Sequence, residues 1–487
     1  MSTYTSLSAI QSALLAGETT CRALVEHYLS QIKKTRHLNA WVEVWPEEAL
    51  SKADALDVRI AAYGAQQAEK PGRLFGAVVS LKDNICYAGH QVTAASKILE
   101  GFTSLYSATA VERILAEDAI IIGRTNCDQF GMGSSNENSV YGPGCNAADP
   151  ERVSGGSSGG AAVAVQTGGC LVALGSDTGG SIRQPAGFCG LWGLKPTYGR
   201  ISRHGLIAYG SSFDQIGFLA NNPEDIACFL EVTAGPDGYD STVGISDFGF
   251  RIADCGLRIA DYSGNLKRKI AYFPEALDNE GMDEGTRALT LQFMEKLRAA
   301  GHAVEPVSFD LLDFIIPTYY VLTTAEASSN LARFDGIRYG YRSPAARNLE
   351  ETYLFSRTEG FSDEVKRRIL LGTFVLSSGY YDAYYGKAQQ VRRLIQERTL
   401  AILQSHDFIL MPVAPSVAWR FGEKSDDPVA MYLADIFTVQ ANLAGVPALA
   451  MPAGRHPENG MPVGVQLMGG LWKETDLLVF GQTTKPL

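Results

Sequence analysis

The sequence predicts an α/β fold: one large domain built on a central, twisted, mixed and largely parallel sheet, covered by helices on both faces. Two patterns predict it. Short, wholly apolar runs suited to buried strands alternate with segments of helical spacing, which is the order of a covered sheet. By length alone the 487 residues would fill about three domains of ~150 residues. No Pro/Gly/Ser-rich linker divides them, so a single extended core is expected.

Helices are expected over residues 1–70. Thr19 and Thr20 can cap a helix in which Leu24, Val25, Tyr28, Leu29 and Ile32 recur at helical spacing between charged residues. A catalytic core is expected over about 71–220. Its first strand is the apolar run 76–81, which delivers Lys82 and Asp83 at its end. Residues 108–119 then read as a helix, 120–123 as a second buried strand, and 168–174 lead from a small-residue helix into a third. Further strands are expected at 269–273 and 408–411, each closed by a proline, and at 448–451 and 463–468. The longest helical pattern between them runs over 363–397. A tandem echo, Arg251-Ile252-Ala253-Asp254 and Arg258-Ile259-Ala260-Asp261, is too short for a solenoid, which needs about three repeats. It reads as a surface-loop insertion over about 246–266.

Composition narrows the function classes. A formal net charge of −11 opposes tight autonomous binding to phosphate backbones, which runs on clustered Lys and Arg. The eight cysteines include no Cys-x-x-Cys pair and no recurring spacing, so neither a zinc ribbon nor a disulfide framework is expected, and no metal site is predicted. Residues 1–20 lack a basic stretch followed by an apolar core, so they do not read as a signal peptide. The longest uncharged run, 153–176, is rich in Gly, Ala, Ser and Thr and poor as a membrane span. A cytoplasmic protein without a membrane helix is expected.

The chemistry is concentrated in two glycine-rich turns, Ser154-Gly155-Gly156-Ser157-Ser158-Gly159-Gly160 and Gly175-Ser176-Asp177-Thr178-Gly179-Gly180-Ser181-Ile182-Arg183. Glycines 179 and 180 remove side chains just before Ser181, so that successive backbone N–H groups can converge beside its hydroxyl. That is an oxyanion hole in outline, in which each donor is worth about 3–4 kcal/mol to an attacked carbonyl. A serine nucleophile needs a base. None of the seven histidines stands in a catalytic motif. The other base is Lys82, where burial at a strand end favours the neutral amine, with Ser157 as a proton relay to Ser181. Taken singly, a Ser-Gly-Gly string is a tight bend and an end-of-strand lysine is a solvated charge. Their combination, in this order, is what points to catalysis.

These strings resemble the amidase signature family. The carriers are Leu81-Lys82-Asp83-Asn84, the 155–160 stretch, the 175–186 stretch, Cys189-Gly190 and Gly193-Leu194-Lys195-Pro196-Thr197. The resemblance implies that Ser181 is the acyl-accepting nucleophile, Ser157 a bridging serine on a cis peptide and Lys82 the base. Thr178, Gly179, Gly180 and Ser181 would supply oxyanion N–H groups. Within the family, Ala325-Glu326-Ala327-Ser328-Ser329-Asn330-Leu331, Arg333-Phe334-Asp335-Gly336, Glu364-Val365-Lys366-Arg367-Arg368, Gly379-Tyr380-Tyr381-Asp382 and Asn442-Leu443-Ala444-Gly445-Val446-Pro447 are similar to the A subunits of the amidotransferases that make Gln-tRNA(Gln). That similarity implies glutamine as substrate, with Arg368 holding its α-carboxylate, Asp435 its α-amino group and Tyr319 shaping the pocket. It also implies a heterotrimer with B and C subunits. ATP, Mg²⁺ and most of the tRNA would belong to the B subunit, and no cofactor to this chain.

Three departures from the family pattern stand out. Cys127-Asp128-Gln129-Phe130 replaces Met-Asp-Glu-Phe, so that an amide stands where an acid would serve a polar tunnel. The 246–266 loop is long, and the C-terminus from Gln482 is short and expected to lack the usual final helix. The rival enzyme reading is a free-standing amidase acting on a small or fatty amide, which would need Lys82, Ser157 and Ser181 but not Arg368 and Asp435. A nucleotide-binding protein is disfavoured because no glycine-rich loop ends in Gly-Lys-Ser/Thr. A non-catalytic scaffold is disfavoured by the presence of all three catalytic side chains.

Overall fold

The computed structural model describes residues 4–66, 69–243, 267–279, 281–424 and 428–484. The 246–266 segment with its tandem echo lies outside these residues, as do 485–487. Among the described residues one sheet of eleven strands runs through the molecule. Its strands are β1 (Trp41–Val44), β2 (Val78–Lys82), β3 (Ile120–Thr125), β4 (Val172–Asp177), β5 (Trp192–Lys195), β6 (Gln215–Ala220), β7 (Lys269–Tyr272), β8 (Ala303–Pro306), β9 (Phe408–Pro412), β10 (Ala448–Arg455) and β11 (Pro462–Gly469). They lie side by side in the order β1-β3-β2-β4-β6-β5-β10-β11-β9-β7-β8.

The sheet is mixed, as expected, but the expectation of mostly parallel pairing needs correction. Parallel pairs form two blocks, β3-β2-β4 and β9-β7-β8, while every pairing between the blocks and the β1–β3 edge is antiparallel. The cause lies in two strands that alternation of helix and strand did not reveal, β5 and β6, and in the antiparallel pairing of two that it did, β10 and β11. β5 and β6 insert antiparallel beside β4. β10 and β11 form a hairpin whose turn carries Asn459-Gly460, with Gly460 at a φ of 70°, a favoured turn pair. In β2, β3, β4, β6, β9 and β11 every residue is buried. Because successive side chains point to opposite faces, this requires cover on both faces of the sheet.

Helices supply that cover. In α1 (Cys21–Lys34) the Thr20 side chain accepts the Ala23 N–H at 3.0 Å, and Leu24, Val25, Tyr28 and Ile32 are buried. α2 (Thr109–Ala116) precedes β3, and α3 (Gly159–Gln166) precedes β4. α4 (Arg183–Cys189) follows β4. The long pattern expected over 363–397 is two helices, α6 (Asp363–Val375) and α7 (Lys387–Ser405), separated by Gly379 at a φ of 89° and a π-helical turn over Tyr381–Gly386. α6 packs on α5 (Leu312–Asn330). Near the end of the chain, where no closing helix was expected, α8 (Glu474–Thr483) forms. It is seated by buried Glu474, which accepts the Thr197 N–H at 2.8 Å and pairs with Arg200 at 2.8 Å.

Candidate active site

The parallel block sets the site. β2 and β4 are neighbours in register, Leu81 opposite Leu174, so Lys82 and Asp177 leave the sheet at the same edge. The carboxyl ends of parallel strands are where open α/β sheets place their sites. Lys82 is fully buried there, and its Nζ lies 2.7 Å from Ser157 Oγ and 2.8 Å from Ser176 Oγ. Burial pushes the Lys82 amine below its ordinary value, against the pull of Cys127, Asp128 and other nearby acids, so the neutral base is favoured.

Ser157 stands on the loop before α3, and the Gly156–Ser157 peptide is cis. The next residue, Ser158, donates its N–H to the Ser181 carbonyl at 3.1 Å. Relay and nucleophile thus share one hydrogen-bonded loop pair. The Ser181 hydroxyl itself makes no hydrogen bond among the described residues, so the Lys82–Ser157 half of the relay is assembled and the Ser157–Ser181 half is not.

The turn before Ser181 is built by close approach. A Cβ on Gly179 would lie 2.5 Å from the Tyr319 hydroxyl, and one on Gly180, at a φ of 135°, 2.2 Å from Thr438 Oγ1. Thr438 in turn donates to the Gly179 carbonyl at 2.7 Å. One expected oxyanion donor is corrected: the Gly180 N–H is already engaged by Asp177 Oδ1 at 2.9 Å. The N–H groups of Thr178, Gly179 and Ser181 have no acceptor among the described residues. Asp177 is fixed by a buried pair with Arg183 at 3.0 Å. Although burial alone would raise its carboxyl, the guanidinium holds it at about 2.

The three residues expected to shape a substrate pocket converge on the same place. Tyr319 covers Gly179. Arg368, on α6, donates to the Tyr209 hydroxyl at 2.8 Å and to Glu364 at 2.7 Å, and its guanidinium faces the rings of Tyr209, Tyr320 and Tyr432 at 5.6, 5.3 and 5.7 Å. Asp435 accepts from the Ser134 hydroxyl and from Gln184 Nε2 at 3.2 Å. Burial raises the Asp435 carboxyl to about 7, with Ser134 and Arg368 pulling it back. A fixed cation and an acid poised near neutrality therefore stand beside the serine turn.

Several site residues escaped sequence reasoning. Ser176 is the second partner of the lysine and is itself held by Asn84 Nδ2 at 2.9 Å. Its signal was the parallel register, which sets the end of β4 against the end of β2. Ser134 and Tyr209 gave no local signal, and Gln184 stood in the 175–186 stretch without an assigned role, since each becomes meaningful only through a distant partner. Gln129 accepts the Ser362 N–H at 3.1 Å and the Ser96 hydroxyl at 3.2 Å, and so caps the start of α6.

Known proteins resemble this chain over nearly its whole length. The family described as Amidase matches residues 23–478. The chain belongs to the amidase family. Among curated amidase relatives, the A subunit of glutamyl-tRNA(Gln) amidotransferase from Chlorobium luteolum is 50% identical over 475 residues, covering 98% of this chain and 96% of the relative. The protein of the same name from Prosthecochloris aestuarii is 49% identical over 480 residues, covering 98% and 97%. The crystal structure of the glutamyl-tRNA(Gln) amidotransferase A subunit from Thermotoga maritima superposes with a TM-score of 0.75 at 36% identity, covering 94% of this chain and 90% of that one. The amidase fold also matches a peptide amidase from Stenotrophomonas maltophilia, with a TM-score of 0.79 at 27% identity, covering 98% and 96%.

Proposed function

We propose that the chain is the amidase subunit of a glutamyl-tRNA(Gln) amidotransferase, working as one amidase domain that hydrolyses glutamine and supplies the ammonia for converting Glu-tRNA(Gln) to Gln-tRNA(Gln). The observation that carries this is the buried Lys82–Ser157 contact of 2.7 Å together with Arg368 and Asp435, buried near enough to Tyr319, which covers the serine turn, to act on it and on each other. A free-standing amidase would need the first feature only. The identity of the relatives over nearly the whole chain supports the same reading.

Neutral Lys82 takes the Ser157 proton as Ser157 takes that of Ser181, and Ser181 Oγ attacks the side-chain amide carbon. The N–H groups of Thr178, Gly179 and Ser181 are the candidates to receive the oxyanion. The proton returns through Ser157 to the leaving nitrogen, ammonia departs, and water cleaves the glutamyl ester by the same relay. The Ser157–Ser181 contact is the one to close when substrate binds, as catalytic hydrogen bonds commonly tighten in the complex. Arg368 pairs with the α-carboxylate, Asp435 with the ammonium, and Tyr319 walls the reacting amide.

On this reading the partners are the B and C subunits, with ATP, Mg²⁺ and tRNA handled mainly by the B subunit in the cytoplasm. Among the described residues no helix is long and apolar enough to cross a membrane. The test is ammonia release from glutamine by the full chain, alone and with its partner subunits, ATP and Glu-tRNA, using Ser181→Ala as the blank. Turnover that rises in the assembly and vanishes in the blank supports the proposal. Hydrolysis of simple amides without glutamine turnover in the assembly would replace it with the free-standing amidase.

A further inference from the structure

Gln184 stands in the 175–186 stretch but has no part in the relay. It is fully buried in the first turn of α4, three residues after Ser181. Its backbone N–H donates to the Gly180 carbonyl at 2.8 Å. Its Oε1 accepts the Gly156 N–H at 3.0 Å, on the residue whose cis peptide carries Ser157, and its Nε2 donates to Asp435 Oδ1 at 3.2 Å. The two partners dictate the orientation, since a backbone N–H only donates and a carboxylate only accepts. A carboxamide is the uncharged side chain that serves both.

We propose that Gln184 is a specificity-determining positioning residue: it ties the carboxylate that receives the substrate ammonium to the peptide that carries the relay serine, so that turnover at Ser181 is tuned to amides bearing an α-amino group. This rests on the reading of Asp435 given above. The Gln184 amide spans both partners, 3.0 Å from the Gly156 N–H and 3.2 Å from Asp435. An ammonium that pairs with Asp435 fixes the position of the carboxylate, and the amide carries that position to the Gly156 N–H and the Ser157 loop. A primary amide without the ammonium binds the same pocket but leaves the loop less firmly held.

The experiment compares glutamine with glutaramic acid, its analogue lacking the α-amino group, by steady-state ammonia release from the full chain with its partner subunits. The wild type is expected to favour glutamine by about 100-fold or more in kcat/KM, because a site built for a polar group rejects the substrate that lacks it. Gln184→Met removes both hydrogen bonds at similar volume, and the preference is expected to shrink to about 10-fold or less, chiefly through kcat on glutamine. Gln184→Glu guards against misfolding of the Met variant. It keeps an acceptor for the Gly156 N–H but sets an acceptor where Asp435 met a donor, and the preference is expected to shrink as in the Met variant, chiefly through kcat on glutamine. The ratio of the two substrates cancels any effect of Lys82 titration. Equal loss on both substrates in both variants would overturn the inference in favour of plain packing, and a rise in KM for glutamine alone would reduce Gln184 to a support for Asp435. A wild type that does not discriminate would instead overturn the role of Asp435.

Discussion

Lys82 has two hydroxyl neighbours, and a neutral amine has one lone pair to direct. Ser176, pinned by Asn84, occupies one side of the amine and leaves Ser157 on the other. Ser176→Ala is therefore expected to lower kcat by about 10- to 100-fold with KM unchanged, and Ser176→Thr to restore most of it. Steady-state kinetics on glutamine checks both. Asp435 sets a different dependence. Only its carboxylate pairs with an ammonium, and its carboxyl titrates at about 7, so KM for glutamine is expected to rise as the pH falls through that value. Ser134 pulls the carboxyl down, so Ser134→Ala should move the transition to higher pH. KM measured against pH in the two proteins decides it. At this scale the sequence was legible where function is local. Lys82, Ser157 and Ser181 stand in motifs, whereas Arg368, Asp435 and Tyr319 came only through resemblance, because nothing near them in the chain says what they face.

Helix packing determines where Arg368 points. α6 meets α5 so closely that a Cβ on Gly372 would lie 1.9 Å from the Thr324 carbonyl oxygen, a backbone atom that cannot swing away. Gly372→Ala is expected to cost about 1–3 kcal/mol and to displace α6, raising KM for glutamine more than it lowers kcat. Chemical denaturation and kinetics test the two parts. The same closeness explains why several strands were hidden. A Cβ on Gly217 of β6 would lie 2.2 Å from the Leu194 carbonyl, and one on Gly193 of β5 would lie 2.6 Å from Ala186 Cβ. Tight packing demanded glycine there, and glycine erases the alternation by which a strand is recognised. β2 and β3, made largely of Val, Leu and Ile with both faces covered, were plain.

Across the whole molecule, Arg183 joins parts of the chain that are far apart in sequence. Beside Asp177 at the end of β4 it donates to the Thr438 carbonyl at 2.7 Å, to Gln466 Oε1 on β11 at 2.7 Å and to Asn442 Oδ1 at 2.6 Å. Asp177 titrates lower in the folded protein than in the unfolded chain, at about 2 against an ordinary value of about 3.9. The stability it contributes is thus present above the ordinary value and lost as the pH falls toward the folded one. Urea unfolding midpoints should drop through that acid window. Asp177→Asn, which strands a buried guanidinium, should be less stable by about 3–5 kcal/mol at neutral pH and show a shallower acid decline.

The adjacency of β2 and β4 has a consequence for how such a protein can be redirected. Base and nucleophile depart from neighbouring strands held in one ladder, whereas Tyr319, Arg368 and Asp435 sit on segments from the later half of the chain. The reactive groups and the recognition groups are therefore carried on separate stretches of chain that meet at Gln184 and at the Gly179–Tyr319 contact. A new substrate on an unchanged relay calls for exchanging the 312–375 segment together with Asp435 and its partner Gln184.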